Sequence, residues 1–268
     1  MKYVDIHSHQ NDPVFDVDKE EVFARMAEAS VGAIMVGTDK DMSQRALDCA
    51  EVFPNVWATI GQHPTDKHNE KFDEHWYREK VKHQKVVGIG ECGLDYFRMR
   101  IDTKEERKRQ GDLFLQQLHL AVDTGKPLMI HCRDAHEEMI DILTLYKREA
   151  GERLRGNIHF YSADWNTAKR YFALDFTISF TGVLTFAREY DDVVKFSPID
   201  RIMVETDCPY VTPAPFRGKR NESSHLPLIV KKIAEIRGIS DEEASMSLRK
   251  NAIHRWGLDL NSPKEYTM

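Results

Sequence analysis

The chain has 268 residues, 41% hydrophobic and 31% charged, and its 38 Lys and Arg against 44 Asp and Glu leave a net charge of −6. This is the make-up of an ordinary folded protein whose core needs neither disulfides nor structural metal. No apolar run approaches the ~20 residues of a membrane-spanning helix, and the acidic balance argues against a broad basic face of the kind that coats duplex nucleic acid.

The expected elements run as follows. Strand-like segments are KYVDIHSH, GAIMVGT, NVWATIGQH, KVVGIGE, KPLMIHC, GNIHF, FTISFTG and RIMVETD, eight in all. The first begins almost at once, with no signal-peptide pattern, so a cytoplasmic location without a membrane partner is expected. Amphipathic stretches alternate with the strands. In DKEEVFARMAEAS, Val22, Met26 and Ala29 repeat at three- and four-residue spacing. Thr103 to Thr124 reads as a long helix with Leu113 and Leu120 on its apolar stripe. LPLIVKKIAEIRG and DEEASMSLRKNAIHRWG close the chain as two helices, the second opened by a capping pattern of Ser240 and Glu243. Repeated strand–helix units without a linker predict one α/β domain over 1–268, a single (β/α)8 TIM barrel with its active site at the C-terminal ends of the strands. The alternative, a doubly wound open sheet, would more typically carry a glycine-rich loop after the first strand, and none follows DIHSH.

Residues able to bind a metal fall at the expected strand ends: His7 and His9, His63, Glu91, His131, His159, then Glu205 and Asp207. His-x-His alone says little, because two imidazoles on one strand face can arise by chance. Six of eight strand ends so occupied form a ring once a barrel closes them, and that changes the reading. Imidazole mixed with carboxylate suits Zn, Mn, Fe or Ni, whereas Mg prefers mostly oxygen. Leaving aside His63 and Glu205, four histidines and two carboxylates exceed the three protein ligands of one catalytic zinc. The expectation is therefore two divalent metal ions per chain (Zn, Mn, Mg, Ni or Fe) sharing a carboxylate, machinery suited to hydrolysing a phosphodiester, amide or ester.

Cys92, Cys132 and Cys208 each follow a proposed ligand, and thiolates bind zinc well. Strand alternation turns Cys92 and Cys132 toward the helix layer instead, as small buried hydrophobes. The argument is weaker for Cys208, where the strand turns. Arg98, Arg100, Arg217, Lys219 and Arg220 could hold phosphate locally, although a solvated surface charge is the simpler reading of any one of them.

DIHSH, GQHP (Gly61 to Pro64), GIGECGLDY (Gly88 to Tyr96), IHCR (Ile130 to Arg133), NIHFYS from Asn157 and ETDCPYVTP from Glu205 occur in an order that resembles the TatD family of metal-dependent deoxyribonucleases, within the amidohydrolase-like superfamily. The resemblance implies His7, His9, Glu91 and Asp207 around one ion and Glu91, His131 and His159 around the other, with Glu91 as the bridge. It implies Asp207 as a catalytic proton acceptor, His63 and more weakly Arg133 as substrate-binding, and Glu205 behind the ligands. Asp5 is expected on the histidines' strand face, one layer deeper, as a buried support. Three departures stand out: Gln10 and Asn11 where leucine and aspartate are common, Ala163 after Ser162 where a glycine is common, and Ser223 in NESSHLP where proline is common. All three are expected in or beside mouth loops, bearing on substrate choice.

The function expected is a metal-dependent nuclease, most simply one trimming DNA from 3′ ends or single strands. The alternatives are a binuclear hydrolase of a small phosphodiester, amide or aminoacyl ester and, last, a non-catalytic binding barrel. Many amidohydrolase-like enzymes bridge their metals with a carbamylated lysine at strand four, where this chain has Glu91, and that favours the nuclease branch. No obligate protein partner is indicated.

Overall fold

The computed structural model describes residues 1–65, 70–98 and 103–259. Eight strands form one all-parallel sheet in the order β1 to β8: β1 (Tyr3–Ser8), β2 (Val31–Val36), β3 (Val56–Ile60), β4 (Val86–Asp95), β5 (Leu128–Arg133), β6 (Gly156–Ile158), β7 (Phe176–Phe180) and β8 (Ile202–Val204). Helices follow them: α1 (Lys19–Glu28), α2 (Lys40–Val52), α3 (Glu74–Lys80), α4 (Lys104–Thr124), α5 (His136–Ala150), α6 (Trp165–Ala173), α7 (Asp191–Phe196), α8 (Leu226–Arg237) and α9 (Asp241–Trp256). This is the expected (β/α)8 TIM barrel. The long helix starts after Thr103, whose hydroxyl accepts from the Glu106 amide, and the last one after Ser240, which accepts from the Glu243 amide. No helix among the described residues is long and apolar enough to cross a membrane.

The seam between β8 and β1 closes just beyond the strands. Asp207 N donates to His7 O at 3.0 Å and His9 N donates to Cys208 O at 2.9 Å. Strand residues facing the helices, such as Ala33, Met35, Ala58, Ile130 and Ile178, join the large outer core. The inward residues Val4, Ile6, Ile34, Trp57, Val87, Met129 and Met203 pack with Trp256 and Leu258 at the N-terminal end, so α9 seals the barrel floor. Gly88 makes room for that seal, since a Cβ there would lie 2.6 Å from the Trp256 ring.

Two irregularities govern the interior. In β1, Asp5 pairs with Ala33 and Ser8 with Met35, so Ile6 and His7 together oppose Ile34. In β4, Ile89 pairs with Leu128 and Cys92 with Ile130, so Gly90 and Glu91 together oppose Met129. Each is a bulge that turns an extra residue inward. Asp5 therefore lies on the outer face and not, as expected, on the face of His7 and His9. Strand β4 also differs from expectation: it continues four residues past Glu91, to Asp95.

Candidate metal centre

The two bulges aim His7 and Glu91 at each other across the mouth. His7 Nε2 lies 3.0 Å from His9 Nε2, and the pair sits 3.4 and 3.6 Å from Glu91 Oε2. Asp207 Oδ1 completes that group, 3.6 Å from His7 and 3.5 Å from His9. On the other side, His131 Nδ1 and His159 Nε2 are 3.2 Å apart, and each lies 2.9 Å from Glu91 Oε1. The carboxylate of Glu91 thus offers one oxygen to each histidine pair. The six side chains gather into one buried ring, just below a mouth cavity of about 450 Å³.

The ring fits divalent cations. Nitrogens 3.0 to 3.2 Å apart are spaced as two ligands each ~2.1 Å from a shared ion would be. Among the described residues, His7, His9 and Asp207 form one group able to hold a metal, and Glu91, His131 and His159 another. Burial disfavours charge here, but neighbours outweigh it at several positions. The pull of His159 and His63, with hydrogen bonds from His131 and His159, holds the Glu91 carboxyl well below its usual range. Glu91 and Glu205 hold His159 well above the imidazole range, and Asp207 raises His9. Burial prevails at His7, which is lowered. Protons on these rings stand where cations would bind, so metal uptake would release them.

A second layer fixes the imidazoles. Glu205 lies 3.5 Å from His159 Nδ1; its Oε1 accepts from Phe160 N and its Oε2 from Ser179 Oγ, both at 2.6 Å. Asp95, which sequence reasoning did not single out, faces His131 Nε2 at 2.9 Å. Its other oxygen accepts from Arg98 N at 2.7 Å, which leaves the carboxylate little freedom to turn. His131 thereby presents Nδ1 to the centre, and a carboxylate behind a histidine raises its basicity as a ligand. Asp95 escaped notice because β4 was expected to stop at Glu91; the signal was the odd carboxylate in GLDY. Asp207 adopts φ +53, a left-handed conformation that aspartate tolerates better than most residues.

The remaining expected residues distribute as follows. His63 lies three residues past β3, its Nε2 3.4 Å from Glu91 Oε1 and its Nδ1 beside Thr65, so it joins the ring from the side. Arg133 lines the cavity with its guanidinium 3.8 Å above the Phe97 ring. Arg220 is committed to Asp18 at 2.5 Å and to Val14 O. Arg100 lies outside the described residues. Cys92 is fully buried in the outer core. Cys132 borders the cavity, but its Sγ accepts from the Tyr171 hydroxyl in the helix layer, and burial pushes its thiol up to about 12. Cys208 sits against Ser8 Oγ at 3.1 Å, away from the ring. No cysteine belongs to a metal-capable group among the described residues.

Asp5 clasps the seam. It accepts from Thr206 N at 2.9 Å, from the Thr206 hydroxyl and, at 2.7 Å, from Ser223 Oγ, while burial pushes its carboxyl up to about 7. Gln10 and Ser223, two of the departures from the TatD pattern, meet here. Both are fully buried, and Ser223 N donates to Gln10 Oε1 at 2.6 Å. Proline at 223 could not make that bond; the two departures meet in one buried contact of the seam and neither lines the mouth cavity, contrary to expectation.

The family model described as TatD related DNase matches residues 4–257. The chain belongs to the TatD family. A Bacillus subtilis (strain 168) relative named "Uncharacterized metal-dependent hydrolase YabD" is 38% identical over 252 residues, covering 92% of this chain and 96% of its own. The Pectobacterium parmentieri "3'-5' ssDNA/RNA exonuclease TatD" is 35% identical over 256 residues, covering 88% and 95%. Among solved structures, the TatD homologue YJJV from Escherichia coli K12 superposes with a TM-score of 0.87 at 25% identity, over 96% of this chain and 99% of that one. The family match runs from Val4 to Gly257, and the chain is a TatD-family metal-dependent hydrolase with groups of residues able to hold a metal.

Proposed function

We propose that residues 1–268 act as one hydrolase domain that cleaves phosphodiester bonds of single-stranded nucleic acid from the 3′ end, at a pair of divalent ions held in the ring. The observation carrying this reading is the division of Glu91, with Oε1 toward His131 and His159 and Oε2 toward His7 and His9. A paired site suits an in-line displacement at phosphorus, because it can stabilise both attacking and departing oxygens. The name of the Pectobacterium relative supplies the substrate class and the polarity.

Bound in the ring, the ions would supply Lewis acidity and a water acidic enough to attack near neutral pH. Asp207 Oδ1, beside His7 and His9, would accept that water's proton, as its position and its carboxyl held below the usual range allow. Burial alone would raise that carboxyl, but the hydrogen bond from His9 and the pull of the neighbouring histidines prevail. His63 would hold a non-bridging phosphate oxygen through Nε2, with Arg133 at the rim neutralising phosphate charge. Asp95 and Glu205 would keep His131 and His159 in register through the displacement.

The test is cleavage of end-labelled single- and double-stranded DNA and RNA by metal-reconstituted protein, beside small ester and amide substrates. Single strands shortened stepwise from the 3′ end, with chelator stopping turnover while the barrel stays folded, is the expected result. Turnover confined to amides or small esters would reject the nuclease reading.

A further inference from the structure

The rim outside the donor ring has a pattern that the reaction at the ring does not require. Phe97, Phe186 and Tyr210 are 61%, 43% and 59% exposed, and all three sit in loops leaving the C-terminal ends of β4, β7 and β8. Two of the three rings carry a guanidinium on one face. Arg133 Cζ lies 3.8 Å from the Phe97 centroid, and Arg217 Cζ lies 3.7 Å from the Phe186 centroid. Single exposed aromatics are ordinary on a protein surface; what distinguishes Phe97 and Phe186 is the guanidinium stacked on each and their place on loops at the barrel mouth. An arginine-backed ring is a rigid, positively charged platform, and a flat aromatic ligand with a nearby anion matches it on both counts.

The mouth cavity, which Arg133 and Tyr210 reach and line, is polarised. Arg98 and Arg133 line its β4–β5 side, whereas Asp12 and Asp39 line the β1–β2 side. Both acids are held in place by capping: Asp12 accepts from Val14 N and Asp39 from Met42 N, each at 2.8 Å. Tyr190, on the loop that also carries Phe186, lines the cavity close enough to Arg133 to feel its charge. A polyanion entering over β4, β5 and β7 meets arginine and aromatic surface. One continuing across the ring would run its phosphates onto two fixed carboxylates.

We propose that, at the rim formed by the described residues, a single-stranded nucleic acid enters over the β4–β5–β7 side, with phosphates passing Arg98 and Arg133 and bases stacking on Phe97 and Phe186, and that Asp12 and Asp39 oppose its passage across the other side so that the strand must present an end. This rests on the nuclease reading above and adds to it a path, a recognised part of the substrate and a reason for end-trimming. Recognition by stacking is tolerant of sequence, because every base has a π-face.

The experiment uses metal-reconstituted full-length protein and labelled single strands of about eight nucleotides. The same strand made abasic at the two positions next to the 3′ nucleotide, a closed single-stranded circle and a small aryl phosphodiester serve as comparisons. Phe97→Ala and Phe186→Ala are expected to raise KM for the intact strand about five- to a hundredfold, the range of losing one base stack, with kcat little changed. In Phe186→Ala, turnover of the aryl phosphodiester, whose ring is attached at the scissile phosphate and not at the rim, should stay at the wild-type level; Phe97→Trp, which keeps a ring under Arg133, should keep the wild-type KM. The abasic strand should bind poorly to the wild type yet lose nothing further in the alanine variants, because the two changes remove one interaction. The circle should survive. Equal losses on strand and aryl phosphodiester, an abasic strand bound as well as the intact one, or a circle cut as fast as a linear strand would each overturn the proposal. If strands are trimmed while the rim variants are silent, the rim assignment alone fails. If the wild type turns over the aryl phosphodiester and no strand, the nuclease reading fails with it.

Discussion

The two ends of the barrel interior are built to different standards. At the floor, Trp57, Val87, Met129 and Met203 meet Trp256 from α9, and shape and volume are what matter. At the mouth, individual atoms matter: Glu91 Oε1 and Oε2 serve different histidine pairs, and a carboxylate stands behind His131 and another behind His159. The strands supply both ends with one alternating pattern, so the mouth needs a device that the floor does not. That device is the pair of bulges at Ile6–His7 and Gly90–Glu91, which shift the phase of β1 and β4 and bring an extra ligand inward. Stability and chemistry are thereby separated along the barrel axis, and perturbing one end should leave the other largely unchanged.

The sharpest break of that separation would come from Asp207→Asn. With metals saturated, turnover is expected to fall at least ~10²–10⁴-fold, because an amide cannot act as the general base. Thermal unfolding of the same variant should stay close to wild type. Trp256→Ala is the converse. Emptying the floor should cost about 3–5 kcal/mol in denaturant unfolding, with kcat per folded molecule unchanged. A collapse of kcat in that variant would mean that floor and mouth are coupled.

Asp95→Asn tests whether the mouth depends on the layer behind its ligands. Metal affinity should fall about 10–100-fold, as when a carboxylate behind a histidine ligand is lost, with little change in unfolding. The smallest effect is expected at Asp175, beside the floor, which meets Arg201 at 2.6 Å and Arg255 at 3.3 Å. Burial alone would raise this carboxyl, but the hydrogen bonds from Arg255 and Arg201 prevail and hold it below its ordinary value of 3.8. A depressed carboxylate stabilises the fold above the unfolded-state pKa and loses that contribution as pH falls through the folded one. Asp175→Asn should therefore cost under ~1 kcal/mol at pH 7, given its partial exposure to solvent, and nothing at a pH below the folded value. A pH-independent difference in unfolding would show that packing, not charge, is the origin.

Most of the barrel was legible because its strands and helices obey simple periods. The eight strand segments, the cap at Ser240 and the outward turn of Cys92 all follow from local pattern. The histidines and carboxylates of the ring were legible because such residues at strand ends have few other reasons to recur. What alternation could not reveal is where alternation breaks. A bulge depends on pairing with a neighbouring strand, which leaves no mark in the period of one segment, so Asp5 was placed on the wrong face and Asp95 beyond the strand's expected end went unnoticed. The bond from Ser223 N to Gln10 joins residues 213 positions apart, and so two departures that looked like independent changes at the mouth are one buried pair.

If Glu91 serves two ions at once, one through each oxygen, both sites must depend on it. Metal titration of chelator-stripped protein, wild type against Glu91→Gln, tests it directly. The wild type should bind about two divalent ions per chain. In the variant, which keeps the shape but loses the charge and one acceptor oxygen, both affinities should fall together while the barrel unfolds at the wild-type temperature. If one site keeps its wild-type affinity and only the other weakens, Glu91 belongs to a single ion and the paired centre described here is wrong.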